Sequence, residues 1–238
     1  MNQLVLPTKP RLVLFDIDGT LLSSGGAGKR AVRDALLEVY GLTGPIRGYS
    51  FAGRTDPEIV RDLLRLAGHA DAEIDAGMPR LFDRYLRNLK REIRTVQAAP
   101  YPGVAELVDR IEQAGEPLVL GLLTGNVREG ARIKVDAAGL GFSRFRVGAF
   151  GSDHAHRPEL PAVAVRRARE LVGVDFSGKE IVIVGDTPLD VACGAHLGVR
   201  TVAVATGTHS VDELAACGPD HVFADLSDVD AAWEAIIG

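Results

Sequence analysis

The sequence predicts an α/β fold, a Rossmann-like, doubly wound parallel sheet with an inserted α-helical cap. Three observations predict it: short runs rich in Val, Ile and Leu recur along the chain, segments of helical spacing separate them, and between residues 22 and 98 the helical spacing continues while the strand-like runs stop. Strands that alternate with helices pair in parallel and need helices over both faces of the sheet. At 238 residues the chain is longer than a usual single domain and shorter than two full ones, which fits one large core carrying a smaller insert.

Taken in order, the apolar runs at residues 12–16, 118–123, 181–184 and 202–204, with a weaker one at 221–223, read as buried strands. Residues 145–150 are a further candidate, interrupted by Arg146 and Gly148. Helical spacing covers residues 103–114, 127–138, 160–172 and 189–197, each near a Gly-rich end. In the insert, a first helix is expected over residues 29–40 and a second from Asp56, where Thr55 and Glu58 make a capping-box pair and Pro57 suits the first turn. A third places Met78, Leu81, Phe82, Tyr85, Leu86 and Leu89 on one face, and the cations Arg80, Arg84, Arg87, Lys90, Arg91 and Arg94 on its solvated side. The junctions at residues 23–28 and 98–103 are built of Ser, Gly, Ala, Pro and Tyr and read as hinges or linkers. The expected division is a core over residues 1–22 and 99–238 and a helical cap over residues 23–98.

Composition narrows the function. Hydrophobic residues are 46% and charged residues 25%, which is ordinary globular usage, and a net charge of -5 offers no basic surface for nucleic acid. Cys193 and Cys217 are too few for a disulfide framework and make no C-x-x-C pair, so a reducing cytoplasm is the expected compartment. No stretch approaches about 18 uninterrupted apolar residues, and no secretory leader is recognisable, so no membrane partner is expected. Oligomeric state leaves no mark in the sequence.

The chemistry gathers where strands end. Asp16-Ile17-Asp18-Gly19-Thr20 follows the first run, and ligands of parallel sheets bind beyond the carboxyl ends of the strands. An Asp-Gly pair can simply reverse the chain, but two acids at a buried strand end are costly without a partner. The run at residues 181–184 also ends in acids, Asp186 and Asp190 in Gly185-Asp186-Thr187-Pro188-Leu189-Asp190. Neighbouring strands would bring Asp186 to Asp16 and Asp18, and carboxylates converging in one crevice call for a hard cation such as Mg²⁺. A third strand ends in Thr124-Gly125-Asn126, a hydroxyl and free backbone N–H groups opening a helix, which suits phosphate oxygens.

These motifs resemble the haloacid dehalogenase (HAD) superfamily, and within it the phosphoglycolate-phosphatase-like enzymes with a helical cap inserted after the first motif; the likeness spans almost the whole chain. The resemblance implies a mobile cap over a Rossmann-like core, a small phosphorylated metabolite as substrate and Mg²⁺ as cofactor. It implies that Asp16 is the nucleophile, Asp18 the general acid and base, Thr124 the phosphate-binding hydroxyl and Asp186 a magnesium ligand supported by Asp190. Asp16 and Asp18 complete the candidate metal set, and Thr20, Gly125, Asn126 and Arg54 are the candidate substrate contacts. The third family motif usually has Lys before Pro, whereas this chain reads His154-Ala155-His156-Arg157-Pro158, so Arg157 is the expected stand-in, with Lys134 as the fallback cation. His154 and His156 lack a third partner and read as surface residues.

Two competing readings share the fold. Resembling phosphosugar mutases place a His early in the cap, and here the first histidine is His69. A catalytically silent phosphometabolite-binding protein would tolerate an altered third motif, but the acids are intact.

Overall fold

The computed structural model describes residues 9–238, so residues 1–8 of the expected core lie outside the described residues. A six-stranded parallel sheet has the order β5-β4-β1-β6-β7-β8, built from β1 (Arg11–Phe15), β4 (Leu118–Thr124), β5 (Val147–Phe150), β6 (Ile181–Gly185), β7 (Arg200–Val204) and β8 (His221–Phe223). The interrupted run at residues 145–150 is thus a true strand, shortened at its start and placed at the sheet's edge.

Alternation along β1 explains the two helical layers. Val13 and Phe15 pack on one face with Val104 and Leu107 of α4 (Val104–Ala114), Ala131 and Val135 of α5 (Arg128–Ala137), and Trp233 of α9 (Val229–Ile237). Leu12 and Leu14 pack on the other with Leu160, Ala164 and Ala168 of α6 (Leu160–Val172) and with Cys193 of α7 (Pro188–Cys193). Phe15 is fully buried, and its truncation to Ala would cost about 3–5 kcal/mol by lost burial and the cavity left behind. The short α8 (Val211–Ala215), with a Ser210–Glu213 capping box, joins β7 to β8. Among the described residues no helix is long and apolar enough to cross a membrane.

The insert is helical as expected: α1 (Ala27–Tyr40), α2 (Asp56–Leu66) and α3 (Asp71–Glu92). These gather an apolar cluster of their own from Leu36, Ile59, Leu63, Leu81, Tyr85 and Leu89. Met78, Phe82 and Leu86 pack against it half-buried, so the expected face of α3 is the one it buries. Only half of the expected capping box forms on α2: the Thr55 hydroxyl accepts from Glu58 N at 3.2 Å, but the Glu58 carboxylate turns to Arg54 at 2.6 Å. An available guanidinium outcompetes the Thr55 backbone N–H for that carboxylate.

The junctions are more ordered than linkers. Leu22–Ser23 (β2) and Ala99–Pro100 (β3) pair antiparallel and tie the insert's entry to its exit. Only two residues long on each side, these strands carry no alternating pattern, which is why sequence periodicity misses them.

Candidate active site

Sheet register sets the site. Phe15 pairs with Leu122 of β4 and Val184 of β6, so Asp16, Thr124 and Asp186 leave neighbouring strands at the same edge. The Asp16 N–H still donates to the Val184 carbonyl at 2.9 Å, which fixes its side chain at the sheet's rim. A cleft of about 530 Å³ opens there, between the strand ends and the helical insert.

Asp16, Asp186 and Asp190 are buried and offer oxygens that all lie within 4.8 Å of one another. Burial pushes Asp16 up to about 7 against the opposing pull of Arg157, with Asp190 and Asp18 adding repulsion. Burial, Asp190 and Asp16 push Asp186 up to about 8. Carboxylates crowded this way hold their protons unless a cation enters, and an oxygen-only donor set of this kind fits a hard divalent ion. Asp186 has no room to move: a Cβ at Gly19, whose φ is +88°, or at Gly207 would collide with its carboxylate, and Thr20 donates to its Oδ1 at 3.0 Å.

Arg157 reaches this cluster from the turn before α6. Its Nη2 lies 3.1 Å from Asp16 Oδ1 and also contacts Asp190 Oδ1. The other Asp190 oxygen accepts from Thr187 N at 3.0 Å and from the Thr187 hydroxyl at 2.6 Å, closing a capping box at the start of α7. Both Asp190 oxygens are therefore engaged, and Asp190 stands behind Arg157 rather than in the cleft lining.

Asp18 lies outside the triad and faces a different set of partners. Its Oδ1 accepts from the Ser24 hydroxyl at 2.9 Å, and its Oδ2 from Lys134 Nζ at 2.6 Å and Asn126 Nδ2 at 2.9 Å. Burial raises its pKa, but Lys134 and these hydrogen bonds outweigh burial and hold the carboxyl below its ordinary value. Asn126 also donates to the Thr124 hydroxyl at 2.9 Å and accepts from Lys134 at 2.6 Å, so one amide links the second acid to the turn after β4.

The expected site residues therefore divide. Asp16, Asp18, Thr124, Gly125, Asn126, Arg157, Asp186 and Arg54 all line the cleft. Thr20 does not; fully buried, it orients Asp186 instead of facing a ligand. Arg54 is tied to Glu58 at 2.6 Å and Asp62 at 3.5 Å, with its guanidinium 5.5 Å from the Tyr49 ring centre. His154 and His156 are exposed, as expected.

Three contributors carry no functional signal in the sequence. Ser24 lies in a segment read only as a hinge. Tyr85 belongs to the insert's apolar cluster, yet its buried hydroxyl lines the cleft beside Asp56 without a hydrogen bond of normal geometry. Asp56 begins α2 as the helix-start motif predicts, but its carboxylate accepts from Val127 N of the core at 2.8 Å, and burial pushes it up to about 6. A buried acid inside a helix-start motif carries no sequence signal beyond the cap itself.

Comparison with known proteins agrees with this geometry. Residues 13–195 match the family described as haloacid dehalogenase-like hydrolase. The chain is 28% identical to the N-acetylmuramic acid 6-phosphate phosphatase of Pseudomonas aeruginosa, over 88% of each chain. It is 30% identical to a phosphoglycolate phosphatase of Xylella fastidiosa, covering 86% of this chain and 84% of the relative. Among solved structures, a hydrolase from Pseudomonas syringae superposes with a TM-score of 0.72 at 20% identity, covering 97% of this chain and all of that one, and CbbY from Rhodobacter sphaeroides, in complex with phosphate, with 0.67 at 19%, covering 92% and 96%. With strand ends, acids and cation arranged as above, the chain belongs to the haloacid dehalogenase-like hydrolase family and is a phosphatase-type enzyme within it.

Proposed function

We propose that this enzyme is a Mg²⁺-dependent phosphatase that hydrolyses a small phosphomonoester through an aspartyl-phosphate on Asp16. The observation that carries the reading is the placement of the Asp16 carboxylate at the end of β1, inside the buried acid cluster and held by Arg157. Asp16 and Asp186 would hold the metal, with Asp190 fixing Arg157 behind them. When bound, Mg²⁺ would neutralise the acids and the phosphate oxygens that must approach them.

The remaining steps belong to the chain's own residues. An Asp16 oxygen attacks phosphorus in line as the bond to the leaving oxygen breaks, and Asp18, which must enter this step protonated although Lys134 favours its ionised form, gives that oxygen its proton. Asp18 then takes a proton from water, whose oxygen attacks phosphorus and frees the Asp16 carboxylate and inorganic phosphate. Arg157 and the turn of Thr124 to Asn126 orient the transferring group, and Lys134 holds Asp18 in place. Among the described residues no histidine lines the cleft, and Gly28, early in the insert, faces Lys134 Nζ, which lies 3.1 Å from where a Cβ would stand. That arrangement favours transfer to water over the mutase alternative, which needs a cap group to manage a second sugar hydroxyl.

Relatives act on phosphoglycolate and on N-acetylmuramic acid 6-phosphate. A cleft of about 530 Å³ has the size of sites for drug-sized ligands, so the substrate panel must run from two-carbon acid phosphates to amino-sugar phosphates. Purified protein would be assayed for phosphate release across that panel with Mg²⁺ and with EDTA. Metal-dependent release from at least one ester supports the reading; binding of esters without release from any of them would favour a silent binding protein.

A further inference from the structure

Two segments of the insert and the core meet at the turn after β4, and the contact involves backbone, helix ends and one acid. Asp56 N donates to the Gly125 carbonyl at 2.7 Å, and the Asp56 carboxylate accepts from Val127 N at 2.8 Å. One residue of the insert therefore brackets the turn Gly125-Asn126-Val127 from both sides. Alongside it, the Thr55 hydroxyl donates to the Ala155 carbonyl at 2.5 Å, on the loop that leads to Arg157.

The helix that begins here cannot cap itself. Val127 is the N-cap residue of α5 and has no side-chain oxygen to offer, so the first N–H groups of that helix need outside acceptors. Asp56 supplies one and Ser152 a second, accepting from Arg128 N at 3.2 Å. A carboxylate at a helix N-terminus is also favoured by the helix dipole. α5 carries Lys134, and the turn carries Asn126, two of the three groups that hold Asp18. Glycines permit the close approach: a Cβ at Gly125 would collide with the Arg54 carbonyl, and one at Gly151 would meet Pro57 Cδ at 3.2 Å.

We propose that Asp56 is a positioning residue whose carboxylate, delivered by the seated cap, caps α5 in trans and locks the phosphate-binding turn and the Asp18–Asn126–Lys134 set into their working arrangement. This rests on the reading of Thr124 to Asn126 as the phosphate turn. Cap seating and completion of the catalytic set become one event, because an unseated cap leaves the Val127 N–H without its acceptor.

The test uses the full chain with Asp56→Ala and Asp56→Asn. The Asn oxygen can still accept from Val127 N, so Asp56→Asn keeps the hydrogen bond and the size of the side chain and removes only the charge. Amide hydrogen exchange at Val127, followed by NMR on protein without substrate, needs no activity. Protection should fall by about tenfold or more in Asp56→Ala and stay within about threefold of wild type in Asp56→Asn. With the best ester of the panel, kcat should fall by about tenfold or more in Asp56→Ala with a much smaller change in KM, and largely recover in Asp56→Asn. Unchanged Val127 exchange in Asp56→Ala, or a kcat loss as large in Asp56→Asn as in Asp56→Ala, overturns the proposal. If no ester is hydrolysed by the wild type, the phosphatase reading fails while the exchange measurement still decides whether Asp56 caps α5.

Discussion

Lys134 Nζ stands 2.6 Å from Asp18 Oδ2, while Arg157 holds Asp16, so each acid of the first motif has its own cation. The two cations then have separable effects. Arg157→Ala removes a preorganised donor beside Asp16, the proposed nucleophile, and should lower kcat by about 10²–10³-fold, with Arg157→Lys recovering part through charge alone. Steady-state kinetics on the best ester would measure this, and a wild-type kcat in Arg157→Ala would remove Arg157 from the machinery.

Lys134 should act on the second half-reaction. Together with Asn126 and Ser24 it outweighs burial in keeping Asp18 ionised, the form that takes a proton from water. Lys134→Met should therefore slow hydrolysis of the aspartyl-phosphate more than its formation. Acid-quenched protein should retain a larger fraction of covalent phosphate during turnover than wild type; an equal or smaller fraction would contradict this role.

Metal binding and pH should be linked. Asp16 is raised to about 7 and Asp186 to about 8 from an ordinary 3.8, so in the metal-free protein their contribution to stability is present at low pH and lost as pH rises through those values. Mg²⁺ must displace the same protons, so its affinity should rise over that window. The Tm gain from Mg²⁺ should be larger at about pH 8.5 than at about pH 6, measured by thermal melts with Mg²⁺ or EDTA. A gain independent of pH would mean these acids do not hold the ion.

Asp16→Asn follows from the same crowding. An amide cannot serve as the nucleophile, so turnover should be lost, yet it removes one charge from the buried cluster. The metal-free variant should melt higher than wild type at alkaline pH. A lower melting point there would show that the carboxylate is satisfied without a metal.

Gly125→Ala tests cap seating from the core side. The added methyl would collide with the Arg54 carbonyl and stand 2.8 Å from Thr55 Cα, while Gly125 has no positive φ that Ala would strain. Core stability should change little, and kcat should fall by about 10²-fold because the insert can no longer settle. Normal kinetics would show that turnover does not need this contact.

Strands and helices of the core were legible because burial imposes a pattern: β1, β4 and β6 are mostly apolar runs, and Asp16, Thr124 and Asp186 stand at or just past their ends. The insert's helices were legible for the same reason, through the buried stripe of Leu81, Tyr85 and Leu89. The ribbon of Leu22–Ser23 with Ala99–Pro100 was not, since two-residue strands have no period. Thr20 is expected at the cleft because Asp18 and Gly19 just before it line the cleft, but its own side chain turns inward to Asp186.

By itself the sequence determined which residues stand at the ends of parallel strands, and so which acids, hydroxyls and glycines could share a site. Only the tertiary structure decided which of them touch. Arg157 meets Asp16 across 141 residues, Lys134 meets Asp18 across 116, and Asp56 meets Val127 across 71. Periodicity reports the face on which a side chain lies, but a pairing of charges is set by strand order, register and the seating of one apolar cluster on another, none of which is local along the chain.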